Sequence, residues 1–337
     1  MNRIFRRKKL LLTCLIIYLI CLITQRILDK RKNDLLLNEV VSISIHQESV
    51  PTISCVPYVA SDNRSFFERE SRPLNPPRRV SYASDDELFR YLRSIRLITL
   101  VCARNVEKYV DQFRKHIEPI VDLFHPTSSI HILQSDSTDG TLVKLYQWSR
   151  AQIYSRFYID RSIQLRHNRI AHCRNELLNR ARQLTSDYIF FVDFDGFTSN
   201  ISSFISNFRY HTDDWSVMTA SASSSYYDIW ALRTLSDEIL NFDIWRKVRD
   251  LQNIQPKYCP ESVVDQIVTL NQKAIPSHYG LIEVRSAFGG AGIYKMSATI
   301  GCNYTLNYEG CEHVPFHLCL REKNQARIFI NPEFLIS

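Results

Sequence analysis

Tyr188-Ile189-Phe190-Phe191-Val192-Asp193-Phe194-Asp195 decides how the rest of the chain is read. Five consecutive bulky apolar residues are strand length rather than helix length, and their lack of alternation predicts a strand covered on both faces. Upstream, Ile170, Cys173, Leu177, Ala181 and Leu184 recur at intervals of three and four, which predicts a helix running to Thr185. Further out, Leu97 to Cys102 reads as a strand and Phe113, Ile117, Ile120 and Phe124 as a helix face. Ile130 to Leu133 reads as a second strand, and Leu142, Leu145 and Trp148 mark one side of another helix. Such alternation predicts an α/β fold with a mostly parallel central sheet and flanking helices, binding its ligands at the carboxyl ends of the strands.

The polar clusters fall at those ends. Asp193 and Asp195 place two carboxylates, one residue apart, after the most apolar strand, an arrangement suited to Mn²⁺ or Mg²⁺ held jointly by carboxylate and phosphate oxygens. A solvated turn with one capping aspartate is the competing reading. Asp136 and Asp139, in Asp136-Ser137-Thr138-Asp139-Gly140-Thr141, are expected to face a nucleoside, with a helix start behind them that favours phosphate. Arg166, Arg169 and Arg174 gather near the start of the helix before the acidic pair and could clamp a diphosphate.

Three of the eight glycines lie in Phe288-Gly289-Gly290-Ala291-Gly292, which implies close backbone approach, either as the wall of a substrate site or as a bulged strand. Tyr308 to His317 crowds Glu309, Glu312, His313 and His317 together. One histidine is expected to complete the metal shell and Glu312 to act as a base. Pro315 argues against a regular helix there, and so against the paired-histidine face of a zinc protease.

The formal charge of +7 is concentrated at the start of the chain, where residues 1 to 32 hold nine Lys/Arg against Asp29 alone. The remaining residues are close to neutral, which removes nucleic acid as a partner. Basic residues 3 to 9 followed by an uncharged apolar run predict a cytosolic tail at 1–9 and a signal-anchor transmembrane helix at 10–28. Prolines 51, 57, 73, 76 and 77 suggest a stem over 29–95, leaving a catalytic body at 96–337. The sequons at Asn63, Asn200 and Asn303 fit a single-pass type II protein with its body in the lumen of the Golgi or endoplasmic reticulum. Of nine cysteines, Cys14 and Cys21 lie in the anchor. A disulfide is plausible among Cys302, Cys311 and Cys319, one thiol is left over, and Cys102 and Cys173 read equally as buried free thiols.

With these residues in place the body resembles glycosyltransferases of the GT-A fold, and more narrowly the cryptococcal capsule mannosyltransferase family. The general pattern rests on Cys102-Ala103-Arg104-Asn105, the Asp136 to Thr141 loop, Arg174-Asn175 and the acidic pair. The narrower one rests on Tyr226-Tyr227-Asp228-Ile229-Trp230-Ala231-Leu232-Arg233, Val284 to Gly290, Cys311-Glu312-His313 and Ile328-Phe329-Ile330-Asn331-Pro332. The resemblance implies transfer of a hexose, mannose foremost, from GDP-mannose or a UDP-sugar to a glycan or glycoprotein hydroxyl. Arg104, Asp136, Asp139, Arg169, Arg174, Asp193, Gly289 and Gly290 are then expected at the donor. Asp193, Asp195, His313 and His317 are expected around the metal, and Glu312 and Asp228 in the chemistry, with Asp228 on the acceptor side. The competing class is a membrane-tethered glycan-binding or scaffolding protein that keeps the fold without turnover.

Overall fold

The structure is a computed structural model that describes residues 55–336, apart from Gly196 and residues 255–257. The expected tail, the anchor with Cys14 and Cys21, and the stem as far as residue 54 lie outside the described residues. Among the described residues no helix is long and apolar enough to cross a membrane.

Nine strands make one sheet: β1 Leu97–Ala103, β2 Ser129–Ser135, β3 Ala151–Arg156, β4 Tyr188–Val192, β5 Val217–Ala222, β6 Arg233–Thr234, β7 Ile282–Ser286, β8 Ala291–Lys295 and β9 Ile328–Ile336. Their order is β3-β2-β1-β4-β8-β5-β9-β7-β6. The helices of eight residues or more are α1 Asp85–Leu92, α2 Val110–Val121, α3 Arg166–Ala181, α4 Ile244–Ile254, α5 Pro260–Ile267 and α6 His313–Asn324.

The strand at 188–192 has all five residues buried, as its composition predicts. Alternate residues feed two cores. Ile189 and Phe191, with Ile98 and Leu100 of β1, pack with Leu177, Leu178 and Ala181 of α3. Phe190 and Val192, with Leu97 and Val101, pack with Phe113 and Ile117 of α2 on the other face. An apolar strand between two helical layers keeps both of its faces out of water.

The sheet is mixed rather than mostly parallel. β3, β2, β1 and β4 run parallel, but β8 is antiparallel to both β4 and β5, and β7 to both β9 and β6. A strand buried on both faces advertises that burial in its sequence and says nothing of its neighbour's direction. Strand β3, half-buried apart from an exposed Gln152, has too weak a pattern to be read in advance.

Three further expectations are corrected. Residues 55–95 are no spacer: Cys55 is disulfide-bonded to Cys259, Phe66 and Phe67 are buried against Tyr226 and Tyr279, and Leu88 and Leu92 of α1 are fully enclosed. Prolines there mark bends in chain that packs on the body. Pro315 lies inside α6, but at its third residue, where the missing N–H has no intrahelical acceptor to lose. Cys302–Cys319 and Cys102–Cys173 are disulfides and Cys311 is the remaining buried thiol, so the second pair is bridged rather than free.

Candidate active site

Asp193 and Asp195 leave the sheet where β4 ends beside the parallel strand β1. Their separation by one residue works because Phe194 turns inward: it is 1% exposed and stacks on Phe113, ring centroids 4.3 Å apart at 20°. With the middle side chain anchored in the core, both carboxylates face outward. The Asp193 N–H donates to the Gly290 carbonyl at 2.8 Å, which ties the acidic turn to the glycine loop. Gly289 and Gly290 need their positive φ of 65° and 83°, and a Cβ on Gly289 would stand 2.3 Å from the Ala220 carbonyl oxygen.

Behind the pair sits Arg174, its side chain only 6% exposed. One guanidinium nitrogen donates to Asp193 Oδ1 at 2.8 Å and another to Glu312, while the plane lies 4.9 Å from the Phe288 ring centroid. Arg174 is therefore a support for the acidic turn, not a free diphosphate clamp. Glu312, with a side chain 9% exposed, is locked in this ion pair, which corrects its assignment as the base. Asp228, the other carboxylate expected in the chemistry, is in no ion pair among the described residues, though it lines neither of the clefts that flank the acidic turn. It is half-buried, accepts from the Gly289 N–H at 3.1 Å, and is pushed up to about 7 by burial and by the charges of Asp193 and Glu312. Asp193 is pushed up to about 6 by burial, with Asp195 and Glu312 adding to the rise and Arg174 opposing it.

Neither histidine forms a metal-holding cluster with the acidic pair among the described residues. His317 is fully buried, with Nδ1 2.9 Å from Ser286 Oγ and Nε2 2.8 Å from the Tyr294 hydroxyl, so both ring nitrogens are engaged. His313 is stacked on Phe288 and 2% exposed; burial holds its pKa well below the usual range. Its Nε2 has no hydrogen-bond partner and lies 4.0 Å from Glu312. Asp136 and Asp139 also serve the scaffold. Asp136, at φ 51°, accepts from the N–H groups of Tyr158 and Asp160 at 2.6 and 2.9 Å, and Asp139 accepts from those of Thr141 and Glu107 at 3.1 and 3.2 Å. Both carboxylates are consumed in shaping the loop after β2.

Two clefts open on either side of the acidic turn, and Asp195 lines both. The first, about 250 Å³, is walled by the end of β1 and the start of α3, with Arg104, Asn105, Tyr109, Ser135, Arg166 and Arg169 among its residues. Arg104 is paired with Asp160 at 3.2 Å, and Arg169 donates to the carbonyls of Ile163 and Gln164. Arg166 makes no hydrogen bond or ion pair among the described residues and is the cation left for a ligand there. The second cleft, about 260 Å³, is lined by Asp193, Asp195, Phe197, Ser224, Ser225 and Tyr227, with Gly290 behind them. Tyr109, Ser135, Ser224 and Ser225 carry no motif that sequence reasoning could use; Tyr227 belongs to the Tyr226 to Arg233 segment of the resemblance, which gave it no role of its own.

Asp195 is exposed and without a hydrogen bond or ion pair among the described residues, and Asp193 keeps Oδ2 free of Arg174. No cluster of three or more His, Cys, Asp or Glu among the described residues forms a metal cage. Two carboxylates, one of them shared with the cleft that holds Arg166, suit a hard cation that takes the rest of its coordination from phosphate oxygens and water.

No protein-family model and no curated protein matches the sequence. Among solved structures, glucosyl-3-phosphoglycerate synthase from Mycobacterium tuberculosis in complex with phosphoglyceric acid aligns over 79% of this chain and 77% of its own, at 12% identity and a TM-score of 0.41. The same protein with Mn²⁺, UDP-glucose and phosphoglyceric acid aligns over 75% and 73%, at 13% identity and a TM-score of 0.39. S. aureus TarS 1–349 aligns over 72% of this chain and 59% of its own, at 12% identity and a TM-score of 0.40.

Proposed function

We propose that this chain is a metal-dependent glycosyltransferase of GT-A type, moving a hexose from a nucleotide-diphosphate sugar to a glycan or glycoprotein hydroxyl. The observation that carries the reading is the sharing of Asp195 by two clefts at the carboxyl edge of the sheet, one furnished with arginines and one without. A group handed from a phosphate to a hydroxyl needs such a meeting point.

In this reading Asp195 and Asp193 hold Mn²⁺ or Mg²⁺, which when bound neutralises charge on the departing diphosphate. Arg166 reaches the same phosphates from α3. Arg174 keeps Asp193 oriented, and Phe194 prevents the turn from collapsing. Asp228, whose pKa of about 7 suits proton transfer near neutrality, is the base if the reaction inverts configuration. The resemblance noted above favours mannose from GDP-mannose over a UDP-sugar.

The type II anchor at 10–28 and a lumenal body belong to this proposal. Three disulfides among the described residues suit an oxidising compartment, and the three sequon asparagines are exposed.

Incubation of the purified chain with a panel of GDP- and UDP-sugars and Mn²⁺ tests the reading. Release of nucleoside diphosphate is expected from one donor, lost in chelator and in Asp195→Ala. Turnover undiminished by both would remove the metal assignment. Mn²⁺-independent nucleotide binding without turnover of any donor would favour a glycan-binding protein that keeps the fold.

A further inference from the structure

The two clefts that share Asp195 differ in charge. The first carries Arg104, Arg166 and Arg169. The second has no Lys, Arg or His in its lining, and its only charges are the carboxylates of Asp193 and Asp195. Arg174, which holds Asp193 from beneath, is already spent on Asp193 and Glu312. A divalent ion accompanied by a nucleoside diphosphate would add no net positive charge. An anion entering the second cleft therefore meets like charge, whereas a neutral polyol meets hydroxyls, carboxylate acceptors and an aromatic ring.

That ring is Tyr227, 50% exposed. Its position is set by backbone rather than by packing: the Tyr227 carbonyl accepts from Gln272 Nε2 at 3.0 Å and from the Ile229 N–H at 2.9 Å, and the neighbouring Tyr226 N–H donates to the Gln272 carbonyl at 3.0 Å. The hydroxyl end stands directly over Gly290, where a Cβ would come within 2.0 Å of it. Gly290 thus lets the phenol reach across the residue whose carbonyl holds the Asp193 N–H. An exposed ring on a pinned backbone, next to Ser224 and Ser225, offers the apolar face and the hydrogen-bonding rim that a sugar ring requires.

We infer that the second cleft binds the hydroxyl-bearing substrate as an uncharged carbohydrate stacked on Tyr227, and discriminates against phosphorylated acceptors. The inference rests on the transferase reading for the word acceptor, while the selectivity of the cleft stands on binding alone.

Saturation-transfer NMR on the full-length chain, with methyl glycosides of mannose, glucose and galactose against the corresponding 6-phosphates, tests it. At least one neutral glycoside is expected to bind more tightly than its phosphate by about tenfold or more. Tyr227→Ala is expected to weaken that glycoside about tenfold, Tyr227→Phe by less than about threefold, and UDP or GDP binding in the arginine cleft to change less than about twofold in either. A 6-phosphate that binds as tightly as its neutral parent in the wild-type chain would overturn the inference, and so would full glycoside binding in a folded Tyr227→Ala protein. The wild-type comparison needs no variant to fold. Glycoside binding on Tyr227 without turnover of any donor would sink the transferase reading and leave this one standing; turnover onto a preferred phosphorylated acceptor would do the reverse.

Discussion

Arg174 donates to Asp193 Oδ1 at 2.8 Å from a side chain that keeps only 6% of its surface, while the carboxylate it holds keeps 41%. The cation is inside and the acid is nearer the mouth, so the pair fixes a half-buried carboxylate from below. Glu312, on the other side of the same guanidinium, is enclosed.

Removing Arg174 leaves Glu312 as a buried charge without its partner. Arg174→Met is expected to cost about 3–5 kcal/mol in denaturant unfolding, because the loss of one member of a buried pair strands the other. Arg174→Lys keeps the charge but cannot span two carboxylates with a planar fork, and should fall between the two. An Arg174→Met protein as stable as the parent would show that Glu312 is not held by this contact.

Gly289 and Gly280 make a controlled comparison, since both have φ near 65° but different surroundings. A Cβ on Gly280 meets nothing within 4 Å, whereas one on Gly289 meets the Ala220 carbonyl oxygen at 2.3 Å. Gly280→Ala is expected to cost about 1–3 kcal/mol, because φ 64° with ψ −163° is a backbone region that essentially only glycine occupies. Gly289→Ala should cost about 1–3 kcal/mol more, as the glycine loop moves off β5 and weakens the Gly289 N–H to Asp228 contact. Thermal unfolding of the two variants checks the order; equal shifts would show that the loop gives way freely.

Legibility in the sequence followed periodicity. Tyr188 to Val192 and Leu97 to Cys102 were legible because two-sided burial writes a continuous apolar run, and α3 because its buried residues recur at helical spacing. The acidic turn could be found from its place after such a strand. Which carboxylates were free could not. Asp136, Asp139 and Glu312 have the composition of a site, yet the first two are spent on backbone N–H groups and the last on Arg174. The Thr141 partner of Asp139 is a local turn contact, but Glu107, its other partner, and those of Asp136 and Glu312 lie 32, 22 and 138 residues away, and no local pattern encodes them. Tyr227 was hidden for the same reason: its role depends on Gly290, which approaches it through the tertiary fold.

The pH dependence of stability has two opposed sources. Asp193 and Asp228 are raised to about 6 and about 7, so their protonated forms suit the folded state; this contribution is complete below the ordinary carboxylate pKa of about 4 and is lost as pH rises through 6 to 7. His313 and His317 are held neutral by burial, His317 at about 3, so their contribution is lost as pH falls below about 6.5, where the unfolded chain gains protons. Asp228→Asn separates the two, because it fixes the uncharged form of one group and leaves the histidines alone. The melting temperature of the variant minus that of the wild type is expected to climb between about pH 4 and pH 7 and to level above about 7. A difference that stays flat across this window would mean that Asp228 titrates as an ordinary carboxylate.

Cys102 and Cys173 join the end of β1 to α3 across 71 residues, and both line the arginine cleft. Cys302–Cys319 closes only 17 residues and lies away from that cleft, between the chain after β8 and α6. On the chain-entropy account the longer loop gives about 1 kcal/mol more stabilisation, within a range of about 2–4 kcal/mol for either bridge. The functional consequences should differ more than the energies. Helix α3 carries Arg166 and Arg169 on its first two turns, and the Cys102–Cys173 bridge fixes that end against the strand. Replacing both cysteines by alanine is therefore expected to lower stability and also to weaken nucleotide binding several-fold. The Cys302→Ala/Cys319→Ala protein should lose stability with its nucleotide affinity unchanged. Calorimetric titration of both variants with UDP and GDP in Mn²⁺ decides it. If the two weaken binding equally, the effect is a general loosening, and the bridge beneath the arginine cleft has no special part in holding α3.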